Sequence, residues 1–121
     1  MNFTEDIYLE NDRVILSPLK KEHLNNLMDF SLNEPELWTY SLQPGNGKEN
    51  LKKYIETALQ TRKLGSSYPF IVYDKLKKQY AGSTRFYDYN KHHQTTQLGF
   101  TWYGKNFQGT GLNKNCKFLL L

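Results

Sequence analysis

Between Tyr68 and Tyr103 the apolar residues recur with a period of two, in three runs separated by short polar turns. "YPFIVYD", "YAGSTRFYDY" and "TTQLGFTWY" each read as a strand, joined by "KLKKQ" and "NKHHQ". Successive strand side chains point to opposite faces. On the last run Leu98, Phe100 and Trp102 therefore share one face, and Gln97, Gly99, Thr101 and Tyr103 the other. Antiparallel strands can be joined by tight turns, whereas parallel neighbours need a long crossover. Turns this short imply an antiparallel meander.

Upstream the period is helical. "NDRVILSPLK" holds a short β-like run, Val14 to Leu16, after which Ser17 and Pro18 fit a helix start, because proline is tolerated in the first turn. Leu24, Leu27, Met28 and Leu32 follow at helical spacing, which predicts an amphipathic helix over about residues 19 to 32. "NEPELWTYSLQPGNG" has the proline and glycine content of a loop, yet carries Leu37, Trp38, Tyr40 and Leu42. A loop so apolar packs on something or covers a pocket. A second helix is predicted from about Lys48 to Leu64, with Leu51, Ile55, Ala58 and Leu59 on one face and Gly65 as the C′ residue. The element order is strand, helix, helix, three antiparallel strands, Gly-rich bend, helix start, an α+β arrangement in one domain spanning residues 1–121.

The charge is unevenly placed. All 12 Asp and Glu residues lie at or before Asp88, matched there by as many Lys and Arg. Lys91, Lys105, Lys114 and Lys117 follow with no acid among them and account for the net +4. Either this is a solvated face or it is a positive field suited to an anionic ligand. No apolar run approaches 18 residues, so no membrane span is expected. The opening "MNFTEDIYLE" lacks the basic and apolar regions of a secretory signal. The single Cys116 excludes an internal disulfide and a cysteine-cluster metal site, and a reducing, cytoplasmic compartment is the expectation.

The bend "GKNFQGTGLN" fails two known glycine devices. A P-loop places Lys and then Ser or Thr after its second glycine, but Thr110 and Gly111 follow Gly109. A dinucleotide fingerprint needs a third glycine where Lys114 stands. Two readings remain. One is a plain strand-to-helix connection. The other is a phosphate or pyrophosphate cradle, built from amides that glycine lets converge and from the unpaired N–H groups of the helix start.

Taken with the element order, the bend resembles that of the GCN5-related N-acetyltransferases, in particular the branch containing the ribosomal-protein N-terminal acetyltransferases. The family signature, Gln/Arg-x-x-Gly-x-Gly/Ala, reads here Asn106-Phe107-Gln108-Gly109-Thr110-Gly111, with Asn106 in place of Gln or Arg. The branch pattern W-x-G-x-x-x-x-G-T-G-x-N is met by Trp102, Gly104, Gly109, Thr110, Gly111 and Asn113, and "RVILSPL" before a Leu-rich helix resembles the branch's N-terminus. The resemblance covers the chain from about Arg13. It implies the N-terminal half of an acyl-CoA N-acyltransferase fold and acetyl-CoA as co-substrate. It further implies that the backbone of Gln108, Gly109, Thr110 and Gly111 binds the pyrophosphate. The backbone of Phe100, Thr101 and Trp102 would pair with the pantetheine arm, and Asn113 would reach the thioester or pantetheine. The family fold goes on to a fifth strand, a fourth helix and further strands, so the resemblance implies an incomplete domain. An open edge at the third meander strand and the apolar end Leu119, Leu120 and Leu121 would then favour self-association.

Acetyl transfer needs a deprotonated amine, an oriented thioester and donors for the developing oxyanion. Residues 95 to 103 contain no acid. Asp88 is the nearest by topology and is otherwise a turn acid; Asn113 is the other catalytic candidate. The N–H of Phe100 or Thr101 could polarise the thioester carbonyl. Arg85 would bind a substrate carboxylate or form a structural ion pair. Trp38 and Tyr40 would line the amine-acceptor site or pack locally. His92 and His93 in a turn read as solvated, and no third metal ligand accompanies them. Cys116, on the side of Leu112 and Leu119, reads as core, and His23, among charges, as surface. The expected function is transfer of acetyl from acetyl-CoA to a primary amine, on a small molecule or a peptide. The alternative is a truncated, non-catalytic remnant that binds CoA or self-associates. Nucleic-acid binding through the basic tail lacks an aromatic-plus-basic motif.

Overall fold

The computed structural model describes residues 5–34, 46–90, 95–108 and 111–120, without the side chains of 87–90, 95–101, 106, 113, 117, 118 and 120. Five strands form one sheet: β1 (Leu9–Glu10), β2 (Val14–Pro18), β3 (Tyr68–Asp74), β4 (Gln79–Asn90) and β5 (Thr95–Tyr103). They lie side by side in chain order, and every neighbouring pair is antiparallel. The expected meander is β3, β4 and β5. Between β2 and β3 the chain makes a 3-10 turn (Lys21–His23), α1 (Leu24–Asn33) and α2 (Lys48–Lys63). After β5 come a second 3-10 turn (Lys105–Phe107) and α3 (Leu112–Leu120).

The sheet is covered on both faces. On one face Leu27 of α1 and Leu51, Tyr54, Ile55 and Ala58 of α2 pack with Ile71 and Trp102. On the other, Leu112 and Cys116 of α3 pack with Val14, Leu16, Phe70, Val72 and Tyr103. Neighbours on one strand thus serve different cores, as Phe70 and Ile71 do on β3. A strand buried on both faces must be apolar at odd and even positions alike, which is why "YPFIVYD" is nearly continuous in hydrophobicity. Fully burying each Leu, Ile or Phe contributes about 1.5–3 kcal/mol.

α2 ends as expected. Gly65 has φ 77, its N–H bonds Arg62 O at 3.0 Å, and the Ser66 N–H bonds Thr61 O at 3.0 Å. That is a Schellman motif, in which glycine takes the left-handed position without a Cβ penalty.

Two expectations are corrected, and one strand is added. Ser17 and Pro18 do not open a helix; they are the end of β2, opposite Ile71 and Phe70. Proline is acceptable at the end of a strand, and the ladder closes one residue later with Leu19 N–H on Pro69 O at 3.1 Å. The helical segment begins at Lys21 instead, and His23 starts it: its Nδ1 accepts the Lys20 N–H at 2.9 Å. An acceptor at the third helical position returning to the N-cap amide is half of a capping box, with imidazole in the usual place of Glu or Gln. His23 is accordingly buried rather than on the surface, its ring 5.7 Å from that of Tyr80. Strand β1 is an addition. Asn11 turns it into β2 by accepting the N–H groups of Arg13 at 2.8 Å and Val14 at 3.0 Å through Oδ1.

No helix among the described residues is long and apolar enough to cross a membrane.

Candidate coenzyme-binding site

The site is built on β5 and the bend that follows it. Along the β4–β5 ladder Arg85 faces Gly99 and Ser83 faces Trp102. Phe100 and Thr101 therefore stand opposite a single residue, Thr84. Two residues against one is a β-bulge, which leaves a residue out of the ladder and re-aims the main chain. β5 is also at the edge of the sheet among the described strands. Its outer backbone, like that of the short β1 at the other edge, is thus able to pair with an added extended group.

Beyond the bulge the strand is anchored on both faces. Trp102 goes into the α1/α2 core, edge-on to Phe30 at 5.7 Å. Tyr103 goes into the α3 core. Burial, reinforced by Cys116 beside it, holds the Tyr103 phenol far above its ordinary range. It stays protonated and cannot serve as a base.

At Gly104 the chain leaves the sheet, with its N–H on Ala81 O at 2.9 Å. The 3-10 turn is closed by Phe107 N–H on Gly104 O at 2.9 Å and Gln108 N–H on Lys105 O at 3.3 Å. Phe107 is buried, 6.2 Å edge-on from Phe30, so its ring belongs to the core. The Gln108 side chain folds back, donating from Nε2 to Tyr103 O at 3.0 Å. Gly111 takes φ 85, a left-handed conformation that favours glycine. Its carbonyl accepts the Asn115 N–H at 3.2 Å and Asn115 Nδ2 at 2.9 Å, which seats the first turn of α3. Leu112 and Cys116, one turn apart, face the core. The N-terminus of α3 points its free amides back toward the bend. Lys105 and Lys114 are exposed on either side of it.

The residues singled out in the sequence fall into three groups. Phe100, Thr101 and Trp102 lie at the bulge and the end of β5, Gln108 follows the 3-10 turn, and Gly111 and Asn113 lie at the start of α3. Arg85 lies one ladder position from the bulge; it is buried, with its guanidinium 5.0 Å from the Tyr54 ring centroid. That packing ties it to α2. Asp88 is further away. The ladder pairs Tyr87 with Gln97 and Asn90 with Thr95, so Asp88 is level with Thr96. Four residues of strand separate Thr96 from Phe100, roughly 13 Å. Trp38, Tyr40, His92, His93, Gly109 and Thr110 lie outside the described residues, as do the side chains of Asp88 and Asn113. Cys116 is in the core, as expected.

Sequence reasoning missed the bulge, one residue of α1 and the residue that follows that helix. Phe30 packs under the bend, and Glu34, just past the helix, accepts the Lys105 N–H through Oε1 at 2.7 Å. Gly99 inside a strand was a weak signal for the bulge. Nothing local pointed to Glu34. Among the described residues no group of three or more His, Cys, Asp or Glu could hold a metal ion.

An antiparallel sheet between a helix pair and a third helix, with a bulged last strand followed by a glycine-rich segment, matches the N-terminal part of an acyl-CoA N-acyltransferase fold. The family model described as Acetyltransferase (GNAT) domain matches residues 13–121, and the chain belongs to that family. Among curated proteins none matches it. Solved structures match as folds. One is an acetyltransferase from Salmonella typhimurium that modifies the N-terminal serine of ribosomal protein L7/L12, at 16% identity and TM-score 0.80, over 94% of this chain and 65% of that one. A second is a GCN5-related N-acetyltransferase from Brucella melitensis, at 19% identity and TM-score 0.82, over 96% of this chain and 53% of that one. A third is the microcin C7 self-immunity acetyltransferase MccE, solved with acetyl-CoA and AMP, at 20% identity and TM-score 0.71, over 91% of this chain and 61% of that one. The chain thus spans 65% or less of the length of these three, corresponding to the N-terminal part of their fold.

Proposed function

We propose that this chain binds acetyl-CoA along β5 and takes part in transfer of its acetyl group to a primary amine. The observation that carries the reading is the bulge at Phe100 and Thr101 leading directly into a glycine bend and a helix N-terminus, in a chain of the GNAT family. The pantetheine arm, an extended amide chain, would pair with the backbone of Phe100, Thr101 and Trp102. The diphosphate would sit against Gly109, Thr110, Gly111 and the amides opening α3, with Asn113 beside the arm and the exposed Lys105 and Lys114 supplying positive field.

In the reaction the amine nitrogen attacks the thioester carbon, the C–S bond breaks, and the sulfur leaves as thiolate and takes up a proton. An N–H freed by the bulge is suited to the developing oxyanion. Tyr103 remains a neutral phenol in the core and takes no proton. Asp88, near Thr96 in the ladder and several residues from the bulge, is the candidate to orient an acceptor rather than to take its proton directly. Arg85, beside the bulge, is the candidate for an acceptor carboxylate, and Trp38 and Tyr40 for the acceptor's body.

Isothermal titration with acetyl-CoA tests the binding, and thiol release with peptides, polyamines, aminoglycosides and small amines tests the transfer. We expect saturable binding and release with one amine class. Binding without release from any amine would support the rival reading, a coenzyme-binding domain that does not catalyse. Absence of binding at millimolar coenzyme would overturn both.

A further inference from the structure

The last turn of α1 grips the bend at two points. Phe30 packs edge-on against both Trp102 and Phe107, which flank Gly104. Four residues on, just past the end of the helix, the Glu34 carboxylate accepts the main-chain N–H of Lys105 at 2.7 Å. That N–H belongs to the first residue of the 3-10 turn. Glu34 is held in turn by its own N–H, which bonds Phe30 O at 3.1 Å. The rest of the turn closes on Gly104 and Lys105. The turn as far as Gln108 is therefore seated on Lys105.

A carboxylate is an odd neighbour for an anion site. Its charge opposes a diphosphate, and the bend otherwise carries only lysines. At this position the hydrogen bond of Glu34 and its charge therefore act in opposite directions on an anion. Resting on the coenzyme reading above, we infer that Glu34 is a positioning residue for the coenzyme site: its bond to the Lys105 amide fixes the 3-10 turn from which the phosphate-binding amides are presented.

Position and charge predict opposite signs. With Glu34→Ala the amide bond is lost, and we expect acetyl-CoA to bind about tenfold more weakly, the equivalent of about 1.4 kcal/mol. With Glu34→Gln a carbonyl oxygen remains to accept the bond and the charge is gone. We expect binding at least as tight as wild type. Titration calorimetry on the three proteins measures this. Amide hydrogen exchange without ligand supplies a second readout, with Lys105 exchanging at least tenfold faster in the Ala variant and unchanged in the Gln variant. A merely stabilising residue would lower the melting temperature without separating Gln from Ala in affinity. The inference is overturned if both variants bind more tightly, if both bind as wild type does, or if Lys105 stays protected in the Ala variant. Wild-type protein that binds no acetyl-CoA removes the coenzyme reading and this inference with it. Intact wild-type binding with an indifferent Ala variant removes this inference alone.

Discussion

Phe30 fills the space that a side chain at position 104 would need: a Cβ built on Gly104 overlaps the Phe30 ring. The conformation of Gly104, φ −55 and ψ 151, is open to any residue, so glycine is required by the close approach of α1 and not by the backbone. We expect Gly104→Ala to cost about 1–3 kcal/mol, the usual range for overpacking, read from the urea midpoint. Phe30→Leu in the same background should recover part of it, because residues in contact are energetically coupled.

Gly82 presents a harder case. It pairs with Tyr103, and an added Cβ would meet the Trp102 carbonyl oxygen. That neighbour is backbone and cannot rotate away. Gly82→Ala should therefore force β4 and β5 apart beside the bulge, at a cost of about 3 kcal/mol. Hydrogen exchange would show the loss first in the amides of β5.

Asp74 is fully buried at the end of β3, 3.2 Å from Arg13 Nε, and accepts the Leu76 N–H at 2.9 Å through the same oxygen. Removing one partner of a buried pair leaves the other uncompensated, at about 3–5 kcal/mol. Arg13 keeps some contact with water, which puts Asp74→Ala near the lower bound. Asp74→Asn, which retains an acceptor for Leu76, should cost less. Chemical unfolding of the two variants checks the order.

His23 confers a pH dependence on the fold. Burial holds its imidazole below the ordinary value of 6.5, with Glu22 opposing that shift and Lys20 adding to it. Its Nδ1 is committed as an acceptor, which a protonated ring cannot be. Below pH 6.5 the unfolded chain takes up this proton before the folded chain does. The contribution is thus complete above 6.5 and is lost as pH falls through the folded value. The melting temperature should drop between pH 7.5 and 5 by more in the wild type than in His23→Gln, where the amide oxygen can keep the Lys20 bond without titrating.

Strands β2 to β5, the two long helices and their order were legible along the chain because their causes are local. A period of two or of 3.6 follows from backbone geometry within one element. Gly65 could be placed as a C′ residue, and Cys116 with the core, from neighbours a few positions away. Ser17 and Pro18 misled because a proline suits a helix start and a strand end equally well. His23 misled because its charged neighbours suggested water, whereas its ring had a backbone amide to cap.

The amino-acid order by itself thus determined the class of fold and the position of the glycine bend. Tertiary structure alone decided how that bend is held. The bulge depends on the register between two strands. The Glu34–Lys105 bond joins groups 71 residues apart in the chain, and the Phe30–Gly104 contact is more distant still. No periodicity records such pairings, since they exist only once the helices have packed on the sheet and brought the end of α1 beside the end of β5.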